Sequence, residues 1–346
     1  MSKIASAILV CLLGINLAYV ISGVRSYPLN SVDVYGIWMF KAKAWYLHQG
    51  FPLADLTNPV YSYSHPQYPL LLPYLFVNLF RLAGSYREMA VLAVYPLVYA
   101  LILLMVYRVL LHLEFSRPAG LFFTYIYSML SPLLAQAGRK HAGNADIIIC
   151  ALYWLAILLF FRLYRRGPVL LGWLLTLLVI VSSQIKIEGA FLAVLIIFIP
   201  VRFRFRLGWL ILIGLPAVAW YLAQRSFGII PDYFVFLPSV TVLLSRSVII
   251  FQGVLRHMLN FRNWYIFWPL FWLILPIHTS NSRDYLRITN RVLLSVTGLF
   301  FINYLFSTIS TAGYVSSTAD RLMLQVSPFF YPLFAVKTRE IFASPL

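Results

Sequence analysis

Ala145-Asp146-Ile-Ile-Ile-Cys150-Ala-Leu-Tyr-Trp-Leu-Ala-Ile-Leu-Leu-Phe160-Phe-Arg162-Leu-Tyr-Arg165-Arg166 is the stretch that decides the fold class. Residues 147–161 are apolar without a break, one carboxylate opens the run and three arginines close it. A helix over 147–164 comes close to the thickness of a bilayer's hydrocarbon core at ~1.5 Å per residue. The arginine cluster is the usual mark of a cytoplasmic helix end.

Working outward, the same pattern recurs along the chain. Apolar runs cut at charges and turn residues predict helices over 4–24, 87–111, 118–136, 147–164, 168–185, 188–201, 207–223, 264–279, 291–310 and 322–337. The composition agrees, with 62% hydrophobic and 11% charged residues among 346, and a mean hydropathy of +0.84. So few charges cannot cover so much apolar surface in water, which excludes a soluble fold. The expectation is an all-α polytopic membrane protein, one domain over 1–346, with about 10 transmembrane helices.

Two apolar stretches fit spans poorly. Residues 68–84 are short and punctuated by Pro66, Pro69 and Pro73, and 233–262 are broken by Pro238, Arg246, Arg256 and Arg262. With the N-terminus inside and both stretches lying on the outer face, five basic loops fall inside, as the positive-inside rule asks. Residues 25–86 then form the first external loop with juxtamembrane helices, and 224–263 an external amphipathic segment. The N-terminal run is too long for a typical signal-peptide core and reads as an uncleaved first helix. Cys11 and Cys150 lie in apolar runs, which excludes a disulfide framework or CxxC site, and no nucleotide-binding glycine pattern occurs.

Charge sorting makes the outer face the place for chemistry. The chain carries 27 Lys+Arg against 10 Asp+Glu. On a soluble protein that excess would point to nucleic acid; here cytoplasmic retention accounts for only about half of the bases. Seven acids (Asp33, Asp55, Glu88, Asp146, Glu188, Asp232 and Asp320) fall outside together with thirteen bases. Mixed charge on that face fits an anionic lipid ligand and not nucleic acid.

Individual residues on that face carry specific chemistry. Asp33 near an aromatic membrane face suits a general base if burial raises its pKa, and equally suits a helix cap. Lys41 and Lys43 can bind a lipid phosphate or snorkel to headgroups. His65, in His65-Pro-Gln-Tyr68-Pro69, is an acid–base or phosphate-binding group or an ordinary surface histidine. Asp146 stabilises a helix N-terminus in any case. Lys186 and Glu188 at a membrane boundary are functional or paired with each other. Arg321, read as starting the last helix, is misplaced at a positive helix end unless an external anion or Asp320 offsets it.

Taken together, Asp33-Val-Tyr-Gly-Ile-Trp38-Met-Phe-Lys41-Ala-Lys43, His65-Pro-Gln-Tyr68-Pro69-Leu-Leu-Leu-Pro73, Ala145-Asp146, Lys186-Ile-Glu188-Gly189 and Asp320-Arg321-Leu-Met-Leu-Gln325 resemble the GT-C superfamily of integral-membrane glycosyltransferases. That superfamily includes protein O-mannosyltransferases and lipid A aminoarabinose transferases. The resemblance covers nearly the whole chain and is to bacterial members. It implies a GT-C-like bundle and transfer of a sugar from a polyprenyl-phosphate donor to a glycan, lipid or protein acceptor. The site would lie on the periplasmic face of a bacterial inner membrane. It further implies Asp33 as base, Asp146 positioning the acceptor, and Lys41, Lys43, His65, Lys186 and Arg321 on the donor phosphate, with Glu188, Tyr68 and Asp320 in support. A divalent metal is compatible with the family, although no ligand motif calls for one.

Two other readings compete. A lipid-linked saccharide flippase needs ionisable groups at mid-membrane, whereas these acids gather at one interface. A non-catalytic scaffold in a cell-envelope assembly is suggested by Val34 standing beside Asp33, where family members pair two acids.

Overall fold

The computed structural model describes residues 3–26, 31–139, 141–229, 239–276, 284–307 and 310–343; for 284–286 and 343 it describes the backbone alone. Every regular element among them is helical. Among the described residues, seven helices are long and apolar enough to cross a membrane: Lys3–Ser26, Glu88–His112, Ala145–Leu163, Pro168–Ile185, Phe203–Ser226, Val240–Met258 and Arg287–Phe306. The chain is a multi-pass α-helical membrane protein.

In chain order, α1 is Lys3–Ser26, α2 Phe40–Leu47, α3 Leu71–Leu82 and α4 Val94–His112. Helices α5 Arg117–Ser128 and α6 Ser131–Gly138 are followed by α7 Ala145–Leu163, α8 Pro168–Ile185 and α9 Phe203–Ser226. The remainder are α10 Val240–Met258, α11 Phe267–Ile274, α12 Asp284–Phe306 and α13 Thr311–Ala343.

Against the expected count of about ten, seven helices among the described residues qualify as spans by length and composition, or eight if α5 and α6 form one span bent by 70°. That bend falls at Leu130, whose extended ψ ends α5 just before Pro132 in the first turn of α6. The run at 188–201 becomes a 3-10 helix, Ile187–Ala193, followed by one short turn, Val194–Ile197. The run at 264–279 is broken at Tyr265, whose φ is 52°, leaving the eight-residue α11; 277–280 lie outside the described residues.

The segment expected to lie broken along the outer face, 233–262, contains the continuous 19-residue α10, which by length and composition can cross. Arg246 donates to the carbonyls of Leu305 and Ser307, both at 2.7 Å. Residues 230–238, including Asp232, lie outside the described residues, as do Lys140 and Arg283. Between α1 and α4 lie short helices: a π-helix Asp33–Met39, α2, Leu53–Thr57, a 3-10 helix Pro59–Ser64, and α3.

The core forms around α7, which packs against α4, α8 and α13. The last helix is not among the seven apolar ones, yet almost all of 322–336 is buried. It can carry Gln325, Ser327, Pro328 and Pro332 because it faces protein rather than lipid. Pro328 has no N–H for the carbonyl of Leu324, and the Ser327 hydroxyl donates to that carbonyl at 2.7 Å instead. Nearby, Trp154 Nε1 donates to Tyr127 Oη at 2.9 Å, and Tyr127 Oη and Ser327 Oγ lie 2.5 Å apart. The polar atoms of Tyr127, Trp154 and Ser327 are thus paired within the core, as an apolar surrounding requires. At the α1–α6 crossing, a Cβ on Gly23 would fall on the carbonyl oxygen of Gly138, so glycine sets how closely these helices approach.

Candidate active site

Four separate elements converge on one ionic cluster. Asp33 opens the π-helix, where the carbonyl of Ser31 accepts from the amides of Val34 and Tyr35 at 3.0 and 3.1 Å. Asp146 sits in the first turn of α7. Lys186 caps α8 in an extended conformation, and Glu188 follows in the 3-10 turn, which the Ser182 hydroxyl pins by donating to Gly189 O at 2.8 Å. Arg321 and Gln325 lie one helical turn apart on α13 and so share a face.

Arg321 is the hub. Its Nε donates to Asp146 Oδ2 at 2.6 Å, and its Nη1 donates to Asp33 Oδ2. Asp146 Oδ1 accepts from Lys186 Nζ at 2.9 Å and from Gln325 Nε2 at 2.5 Å. Lys186 Nζ also lies 3.1 Å from Glu188 Oε1. Burial by itself would lower the pKa of the Lys186 ammonium, but Asp146 and Glu188 more than offset this and hold it above its ordinary value. The cluster is graded in exposure. The Asp146 side chain is fully enclosed, whereas those of Arg321 and Asp33 are 18% and 31% exposed. Only the Asp33–Arg321 end is open to a ligand.

The structure therefore brings together Asp33, Asp146, Lys186, Glu188 and Arg321, and revises several roles. Both oxygens of Asp146 are occupied inside the protein, where it anchors Arg321, Lys186 and Gln325. Arg321 does not start its helix. The helix begins at Thr311, ten residues earlier, and the anions beside Arg321 are Asp33 and Asp146. Asp320 faces the other way: its carboxylate accepts from Asn263 Nδ2 at 2.7 Å and Trp264 Nε1 at 2.8 Å, and lies 2.9 Å from His257 Nδ1.

Lys41 is fully buried, and its ammonium donates to the His65 carbonyl at 2.6 Å. It also lies 5.9 and 5.7 Å from the ring centroids of Trp38 and Tyr68. A lysine so enclosed positions the His65–Tyr68 turn and is not presented to a phosphate. Lys43 is exposed and rests over the Tyr86 ring at 5.2 Å. Burial, and then Glu88 beside it, push the Tyr86 hydroxyl above its usual pKa. His65 adopts a left-handed backbone (φ 48°), its ring 5.3 Å from that of Tyr68. Gln325 was missed as a site residue, although its spacing of four from Arg321 would have placed it on the same face.

An apolar groove of about 520 Å³ runs between α10, α11, α12 and α13, lined by Phe251, Val254, Trp268, Phe271, Leu293 and Met323 among others. Its wall on α13 is Ala319, Leu322, Met323 and Val326, a different face of that helix from Arg321 and Gln325. Among the described residues, no group of three or more His, Cys, Asp or Glu side chains could hold a metal ion. Asp33 and Asp146 both bind Arg321, a donor set that does not fit a divalent cation.

Compared with family models, curated proteins and solved structures, the chain matches none.

Proposed function

We propose that the protein is a glycosyltransferase that moves a sugar from a polyprenyl-phosphate donor to a hydroxyl acceptor at the external face of the membrane. The observation that carries this reading is the open Asp33–Arg321 pair, set at the end of a buried ion network. An anionic lipid head fits such a pair: the phosphate takes a guanidinium with five N–H donors, of which two serve Asp33 and Asp146.

The donor phosphate and Asp33 compete for Arg321. Asp146 stays on the guanidinium and fixes its plane, while the more exposed Asp33 gives way to the incoming phosphate. Donor binding thereby frees the Asp33 carboxylate beside the sugar. The acceptor oxygen attacks the anomeric carbon, the bond from that carbon to the phosphate oxygen breaks, and the acceptor proton passes to Asp33. The lipid phosphate leaves with its added negative charge on Arg321, while Lys186 supplies positive charge from behind. Attack opposite the leaving group inverts the anomeric centre.

The Asp33→Asn variant is expected to insert and fold yet transfer no sugar. Comparing lipid-linked sugars and envelope glycans by mass spectrometry, with and without the protein, should show accumulated donor and one missing sugar. Wild-type transfer by Asp33→Asn would overturn the assignment. Movement of a lipid-linked sugar across proteoliposomes without a covalent product would replace it with transport.

A further inference from the structure

Asp320 precedes Arg321 on α13, and neighbouring residues of a helix point about 100° apart. Arg321 turns to Asp33 and Asp146, whereas Asp320 turns to the segment that ends α10. Three donors meet its carboxylate there. Oδ2 accepts from Asn263 Nδ2 at 2.7 Å and lies 2.9 Å from His257 Nδ1, and Oδ1 accepts from Trp264 Nε1 at 2.8 Å. An ionised carboxylate only accepts, so the facing His257 Nδ1 carries the hydrogen. The side chains of His257 and Asp320 are largely enclosed, and Trp264 is fully buried.

The donor segment is itself anchored. Asn260 caps the short helix Phe261–Trp264, its side chain accepting from the Arg262 amide at 3.1 Å. That helix packs on α6. Tyr265 ends it in a left-handed backbone, and its hydroxyl donates to the carbonyl of Met129 at 3.3 Å, beside the bend between α5 and α6. The bonds to Asp320 thus tie α13, one residue from Arg321, to the α5–α6 scaffold.

Such a tie does what apolar packing does not. Burial of apolar surface is non-directional and tolerates a small rotation of α13 about its axis. The Arg321 guanidinium has to hold the enclosed Asp146 and still stay open beside Asp33. A binding group of this kind works when held within about 10–20° of its productive angle. Directional bonds to Asp320 on one side of the helix, and to Arg321 on another, fix that angle. We infer that Asp320 is a positioning residue for donor binding: gripped by His257, Asn263 and Trp264, it sets the angle at which Arg321 meets the lipid phosphate. The inference rests on the glycosyltransferase reading.

The test uses the full chain in lipid nanodiscs, titrated with farnesyl phosphate. Asp320→Asn sets an amide N–H against a donor, and Trp264→Phe removes one donor but keeps a ring. Each should weaken farnesyl phosphate on the order of tenfold. His257→Leu should do the same, and His257→Asn, whose amide nitrogen takes the place of Nδ1, should recover most of the affinity. Arg321→Lys is the discriminating background. An ammonium is a point charge on a flexible stem with no plane to aim, so Asp320→Asn should weaken binding to that variant by less than about twofold. Equal weakening in both backgrounds would mean a general loss of structure and would overturn the inference, as would wild-type affinity in Asp320→Asn and Trp264→Phe. If thermal unfolding shows that Asp320→Asn does not fold, Trp264→Phe and the two His257 variants carry the same comparison. If farnesyl phosphate does not bind wild type, or binds Arg321→Ala equally well, the glycosyltransferase reading fails. If binding depends on Arg321 but ignores Asp320, Trp264 and His257, only the positioning role fails.

Discussion

Arg321 and Asp146 meet through a 2.6 Å bond from Nε to Oδ2, and the same guanidinium also holds Asp33. One arginine thus joins a carboxylate that cannot reach solvent to one that can, and this difference in exposure separates their expected roles.

Asp146→Ala should destabilise the protein strongly. It strips a partner from both Arg321 and Lys186 in an enclosed site, and breaking a buried ion pair costs about 3–5 kcal/mol. Asp33→Asn removes a partly exposed partner and should change stability by less than ~1 kcal/mol. Thermal unfolding of the two variants in nanodiscs checks the contrast; equal losses would refute the anchor role of Asp146.

Lys41→Met should loosen the His65–Tyr68 turn while leaving phosphate affinity unaltered. The charge-assisted bond to the His65 carbonyl is worth about 1.5–3 kcal/mol. Limited proteolysis of the turn and the affinity for farnesyl phosphate are the two readouts. A large drop in affinity with an intact turn would restore Lys41 as a phosphate ligand.

Lys186 introduces a pH dependence only at high pH. Its folded pKa lies above its ordinary value of 10.5, so its stabilisation is fully present below that pH and is lost as pH rises through the folded value. The unfolding temperatures of wild type and Lys186→Arg should therefore run in parallel with pH through neutrality. They should part only above about pH 10.4, where lysine begins to deprotonate and arginine does not. Divergence near pH 7 would show that Lys186 is not held in its charged form.

Gly23→Ala and Gly138→Ala should each force α1 and α6 apart, because the new Cβ meets a backbone carbonyl on the facing helix. The expected loss is about 1–3 kcal/mol. Gly14→Ala, on the same helix with open space around it, should be neutral by the same unfolding assay. Similar behaviour of all three would exclude a glycine-dependent crossing.

Much of the helical layout was legible because a span is a local property. The run at 147–164 is apolar over bilayer length, and α7 covers Ala145–Leu163. The reading failed where length and hydropathy misreport surroundings. Residues 264–279 look like a span but turn at Tyr265, whereas 233–262 look too charged, yet α10 runs continuously over Val240–Met258 with Arg246 paired to backbone carbonyls. The last helix shows the opposite mismatch, since its polar and proline residues lie among protein neighbours that accommodate them.

By itself, the sequence determined a multi-pass helical membrane protein with its unusual charges at Asp33, Asp146, Lys186, Glu188 and Arg321, because composition, run length and residue type can be read along one dimension. Only the tertiary structure decided how those charges are used. Asp33, Asp146, Lys186 and Arg321 come from four different elements, and which carboxylate is enclosed and which stays open depends on how those elements pack. The same packing turned Lys41 inward onto the His65 carbonyl and Asp320 onto Asn263 and Trp264. Residue spacing carries no record of either outcome, because burial and pairing arise from contacts between segments far apart in the chain.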